Sequence, residues 1–224
     1  MHYAIEGTLA QTVRLSLSAG ADCWASKGAL MALDPDVRWT LKIPGGLSGT
    51  IRRMMSGEGL ALTYLQGDRE GQSVMLSANQ PGKIIAWDLG KDGPVVTTRG
   101  AFVAAFGPQI KIDVTVARRP GAAFFGGAGF FLQKISGQGT VLIHGSGDFF
   151  ERNLGQGEST VVSTGNLAAF ADSVDYSIRA TGGVRRVLFS GEGLFMTQLT
   201  GPGRILLQTL KRARSSRSTS SKAD

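Results

Sequence analysis

Arg185-Arg186-Val187-Leu188-Phe189-Ser190-Gly191-Glu192-Gly193-Leu194 is written nearly the same way at Arg52-Arg53-Met54-Met55-Ser56-Gly57-Glu58-Gly59-Leu60, and more loosely at Gln133-Lys134-Ile135-Ser136-Gly137-Gln138-Gly139-Thr140. Each copy places a basic or polar pair and apolar residues before Ser-Gly-(Glu/Gln)-Gly. Glycine takes positive φ without a Cβ clash, so the pattern predicts strand, tight turn, strand. Gly57, Gly59, Gly137, Gly139, Gly191 and Gly193 are then structural turn residues.

A second motif interleaves with the first. Gly28-Ala29-Leu30-Met31-Ala32, Gly100-Ala101-Phe102-Val103-Ala104 and Gly165-Asn166-Leu167-Ala168-Ala169 share glycine, a small residue, an apolar residue and a closing alanine. The glycines at 28, 100 and 165 set a unit of 65 to 72 residues. That is longer than the ~20–50 residues of most solenoid repeats, so each unit reads as a small sheet assembly. Three such units are expected at about 17–90, 91–150 and 151–209, in one body spanning 1–209.

The strand pattern agrees. Val13, Leu15 and Leu17 alternate with Arg14, Ser16 and Ser18, and Ile110, Ile112, Val114 and Val116 alternate with Lys111, Asp113 and Thr115. Period two is the mark of a half-buried strand. Sustained apolar spacing of the helical kind is missing, and 32 glycines with 7 prolines suit many short strands. The fold class is all-β.

Charge is uneven. The chain carries +7, of which the five basic residues from Lys211 on, against Asp224, supply +4, leaving +3 for everything before them. Residues 210–224 are Ser/Arg/Lys-rich and predict a disordered basic tail. The body is too weakly basic for its charge to argue for a nucleic-acid surface. Cys23 is the lone cysteine, so no intrachain disulfide can form and a cytoplasmic location is expected. Met1 to Glu6 shows no signal-peptide pattern. The uncharged stretch Pro120 to Gln133 is too short and too glycine-rich for a membrane-spanning helix.

Chemistry-bearing clusters are sparse. His2 and His144 are the only histidines, too few for a histidine-rich metal site in a β-barrel, and His144 before Gly145-Ser146-Gly147 reads as a turn or surface histidine. The sequence has no Gly-x-Ser-x-Gly elbow and no Gly-x-x-x-x-Gly-Lys-(Ser/Thr) loop. The acidic place of the first motif is Glu58, Gln138 and Glu192, and glutamine cannot serve there as a base. No metal, cofactor or catalytic residue is expected, and the chain is read as not an enzyme.

Lys27-Gly28-Ala29-Leu30-Met31, Met55-Ser56-Gly57-Glu58-Gly59-Leu60, Pro81-Gly82-Lys83-Ile84-Ile85 and Gly129-Phe130-Phe131-Leu132 resemble the mitochondrial biogenesis, or altered-inheritance-of-mitochondria, family. The likeness continues through Thr164-Gly165-Asn166-Leu167-Ala168-Ala169-Phe170, Ser190-Gly191-Glu192-Gly193-Leu194-Phe195 and Gly201-Pro202-Gly203-Arg204, covering Tyr3 to Leu210. The resemblance implies a β-sandwich-like double-stranded β-helix of the type of the trp RNA-binding attenuation protein, assembled into oligomers. It brings no catalytic residue with it.

Two function classes follow. The first is a non-enzymatic homo-oligomeric scaffold, a trimer by extension of the internal pattern, with an unidentified protein partner and with Phe124, Phe125, Phe130 and Phe131 at the interface. The alternative is an RNA- or anion-binding module using Arg52, Arg53, Arg185 and Arg186, by analogy of fold.

Overall fold

The computed structural model describes residues 1–44, 61–117, 130–180 and 195–212, and the body they form is built of antiparallel strands. The chain opens with β1 (His2–Glu6), β2 (Thr12–Leu17), β3 (Asp22–Ala25), β4 (Leu30–Leu33) and β5 (Arg38–Lys42). Next come β6 (Leu62–Gln66), β7 (Gln72–Ser77), β8 (Gly82–Asp88), β9 (Val95–Thr98), β10 (Phe102–Phe106) and β11 (Lys111–Ala117). It continues with β12 (Phe130–Ser136), β13 (Thr140–Ser146), β14 (Phe149–Leu154), β15 (Ser159–Ser163) and β16 (Leu167–Ala171). The last three are β17 (Asp175–Ala180), β18 (Phe195–Thr200) and β19 (Gly203–Gln208). A single turn of helix, α1 (Leu89–Asp92), follows β8, and the Asp88 carboxylate caps it by accepting from the Gly90 and Lys91 amides.

The strands form four sheets in the orders β1-β2-β7-β4, β5-β6-β3-β10-β13-β8, β11-β12-β9-β16-β19-β14 and β15-β18-β17. One pairing order occurs three times along the chain. β6 lies between β3 and β5, β12 between β9 and β11, and β18 between β15 and β17. β7 likewise lies between β2 and β4, β13 between β8 and β10, and β19 between β14 and β16. Each six-stranded sheet is two of these three-stranded sets, joined where β3 meets β10 and where β9 meets β16.

The Gly-small-apolar-x-Ala motif places a β-bulge in β4, β10 and β16. Register slips by one residue between Leu30 and Ala32, between Phe102 and Ala104, and between Leu167 and Ala169. The residue skipped each time is the fourth of the motif: Met31, Val103 or Ala168. A β-bulge adds twist at that point, while the strand keeps the same neighbour on either side of it. Gly28 and Gly100 enter their bulged strands through turns at φ 83 and 79.

Every residue of β10 and β16 is buried, so these strands are covered on both faces. One core cluster gathers Val13, Leu15, Leu65, Val74 and Leu76 between the first two sheets. A larger one gathers Trp87, Phe102, Ile135, Leu167, Phe170 and Leu199. Arg204 closes that core at its rim. Its guanidinium lies 4.8 Å from the Trp87 ring and pairs with Glu151 at 2.6 Å and Asp92 at 3.4 Å.

The first residues assigned to the tail are part of the body. The Leu210 amide donates to the Ser146 carbonyl at 3.1 Å and that of Arg212 to the Gly165 carbonyl at 3.3 Å. Docking of this kind leaves no trace in composition, because its partners lie far away in the sequence. The rest of the expected tail, 213–224, lies outside the described residues.

Candidate functional site

Gly137 and Gly139 form the β12–β13 turn at φ 115 and 133. A Cβ on Gly137 would run into the Gln109 carbonyl oxygen, and one on Gly139 into that of Phe106. The turn nests against the chain between β10 and β11, where the Gln138 amide donates to the Pro108 carbonyl at 3.1 Å. Both glycines are therefore required by backbone packing, and neither presents a ligand.

Gly57, Gly59, Gly191 and Gly193 lie outside the described residues, as do Arg52, Arg53, Arg185, Arg186, Phe124 and Phe125. Their places in the chain still correct the expected equivalence. Residues 45–60 run between β5 and β6, and 181–194 between β17 and β18, whereas Gly137 falls between β12 and β13. In the recurring order the counterpart of the two Ser-Gly-Glu-Gly stretches lies between β11 and β12, where the chain reads Gly126-Gly127-Ala128-Gly129. Phe130 and Phe131 begin β12, paired with Ala117 and Val116.

His144, expected at a turn or surface, is fully buried in β13. Its neighbours come from distant parts of the chain. Arg212 Nη2 sits 3.4 Å from His144 Nδ1 and donates to the His144 carbonyl and to Gln208 Oε1, both at 3.0 Å. Arg212 Nη1 donates to the Gly100 carbonyl at 2.6 Å. Gly82 passes so close that a Cβ there would come within 2.8 Å of His144 Nε2. Burial first and the Arg212 charge second push the His144 pKa down to about 4, with the Gln80 backbone opposing them. Burial likewise lowers Arg212 to about 10. The ring is thus neutral at pH 7 beside a cation, an arrangement that anchors Arg212 to β13 and, among the described residues, gives the imidazole no carboxylate to orient it as a base.

Cys23 is buried, and loss of hydration raises its thiol to about 12, so it is a packed apolar side chain and not a thiolate nucleophile. Among the described residues no three His, Cys, Asp or Glu side chains gather closely enough to hold a metal ion. No helix among them is long and apolar enough to cross a membrane.

What stands out instead lies at the sheet edges. Among the described residues β4 and β15 each pair on one side only. Met31 in β4 is 59% exposed, while its counterparts in the recurring order, Val103 and Ala168, are 1% and 0% exposed. Val161 in β15 is 55% exposed, while of its two counterparts Val96 is 7% exposed and Trp24 is half-buried. Sequence reasoning missed both, because apolar residues in a predicted strand are read as core until the strand order is known.

The sequence model of the family described as mitochondrial biogenesis AIM24 matches residues 3–210. None of the curated proteins matches the chain. Among solved structures, the crystal structure of protein SPYM3_0169 from Streptococcus pyogenes superposes with a TM-score of 0.77 at 24% identity, covering 94% of each chain. At that identity the likeness speaks for the fold.

Proposed function

We propose that this chain, which belongs to the mitochondrial biogenesis AIM24 family, is a non-enzymatic scaffold that works as an assembly of identical copies. The observation that carries the reading is the exposure of Met31 and Val161 on two strands that pair on one side only among the described residues, at places whose counterparts are buried (Val103, Ala168, Val96) or half-buried (Trp24). Apolar residues on an unpaired strand edge favour association over solvation. The polar chemistry of the described body supports the same reading, since His144, Arg212, Gln208 and Arg204 are engaged in holding strands and residues 210–212 together. Such a body offers partners a rigid, repeated β surface.

Sedimentation of the full chain between about 1 and 50 μM tests this. A discrete species heavier than one 23.6 kDa chain is expected. A single 23.6 kDa species at every concentration would overturn the proposal.

A further inference from the structure

The order in which strands meet within the chain specifies how one copy meets the next. Each six-stranded sheet is a set of the type β8-β13-β10 joined to a set of the type β3-β6-β5, with β10 against β3. The same junction recurs as β16 against β9. Two sets have no such neighbour among the described strands: β2-β7-β4 ends on β4, and β15-β18-β17 ends on β15. These are the two halves of a third sheet of the same kind.

We infer that β4 of one copy pairs antiparallel with β15 of a second copy, completing a continuous sheet across the boundary between chains. The inference rests on the scaffold reading and names its partner, a second copy of this chain, and its contact.

The register follows from the two internal junctions. Ala104 pairs with Ala25 and Ala105 with Trp24 at the first junction, and Ala169 with Thr97 and Phe170 with Val96 at the second. Transferred through the shared register of β4 and β15 with their own sheets, these pairs become Ala32 with Val162 and Leu33 with Val161. The backbone is ready for it. The Asp34 amide donates inward to the Ser73 carbonyl, so the Leu33 N–H, one residue earlier, points outward. The Gly201 amide donates to the Glu158 carbonyl, and by alternation the N–H groups of Val161 and Ser163 also point outward. At the internal junction the Ser26 amide donates to the Val103 carbonyl at 2.8 Å, and the corresponding contact here runs from Ser163 to Met31.

Charge placement separates these two edges from all others. Among the described strands, the remaining edges are β1 with Glu6, β5 with Arg38 and Lys42, β8 with Lys83 and Asp88, β11 with Lys111 and Asp113, β14 with Glu151 and Arg152, and β17 with Asp175. Charges of this kind keep an edge from pairing. β4 reads Leu-Met-Ala-Leu and β15 reads Ser-Thr-Val-Val-Ser, without charge or proline. Because β4 and β15 are different surfaces, the contact is head-to-tail and extends until a ring closes.

Cysteine cross-linking tests the pairing on the full chain. Opposed residues of an antiparallel hydrogen-bonded pair stand ~5.5 Å apart at Cα, within disulfide reach. Met31→Cys mixed with Ser163→Cys should give a covalent dimer under mild oxidation, while neither variant alone does, and the double variant should give a ladder of higher species. Val161→Lys, at an exposed place, should leave the circular dichroism unchanged and reduce the sedimenting species to one chain. An oligomer that survives Val161→Lys and forms no mixed disulfide overturns this contact and leaves the scaffold reading standing. A wild-type protein that is monomeric overturns both. Self-cross-linking of Met31→Cys would show a twofold contact and refute the head-to-tail one.

Discussion

Lowering the pH from 7.5 to 5 is expected to weaken this protein through His144. In the folded chain the imidazole is buried beside Arg212 and its pKa is held down to about 4, against ~6.5 in an unfolded chain. Between those values the unfolded chain binds a proton that the native ring refuses. The stability this histidine contributes is therefore complete above pH ~6.5 and is lost as pH falls towards 4. With a pKa difference of that size the loss is about 2 kcal/mol at pH 5 and about 3 kcal/mol below pH 4. Urea unfolding followed by tryptophan fluorescence at the two pH values, at one fixed protein concentration, measures it. His144→Gln has no proton to take up, so its stability should change by about 2 kcal/mol less between pH 7.5 and 5 than that of the wild type. His2 is exposed and common to both proteins, so it cancels. Equal losses in the two proteins would refute the account of a neutral, buried His144.

A chain ending at Arg212 should melt within about a degree of the full chain, whereas one ending at Thr209 should melt ~4–10 °C lower, since it loses the Arg212 bonds to Gly100, His144 and Gln208; scanning calorimetry distinguishes them. Gly137→Ala and Gly139→Ala should each cost more than ~2 kcal/mol in urea unfolding, because positive φ and a facing carbonyl both oppose a Cβ. Arg204→Ala should cost ~1–2 kcal/mol through the lost Trp87 stacking and paired carboxylates, while Arg152→Ala, an exposed partner of Glu158, should cost under ~0.5 kcal/mol.

Legibility tracked periodicity. Strands with one solvated face announced themselves: Val13, Leu15 and Leu17 of β2 are buried with Arg14 exposed between them, as alternation predicts. The Gly-small-apolar-x-Ala motif was visible too, and its bulge is the physical reason that it recurs. Ser-Gly-x-Gly does not mark one equivalent place, because its copy at Gly137 falls between β12 and β13 while the other two precede β6 and β18, and only strand pairing tells them apart. His144 was misread for the opposite reason. In a strand covered on both faces polarity no longer alternates, so Ile143-His144-Gly145-Ser146 looks like the end of a strand. Its partner Arg212 lies 68 residues away, beyond any local pattern. The open edges were invisible because a strand's neighbours are a property of the whole topology.

Hydrogen exchange at β4 and β15 tests the central claim most directly. In the assembled protein the Leu33 and Val161 amides should exchange as slowly as those of Ala105 and Val96, which occupy the internal junctions. In Val161→Lys, Leu33 should exchange fast while β10 and β16 stay protected. Rapid exchange at Leu33 and Val161 in the wild-type protein, with β10 and β16 slow, would contradict the account.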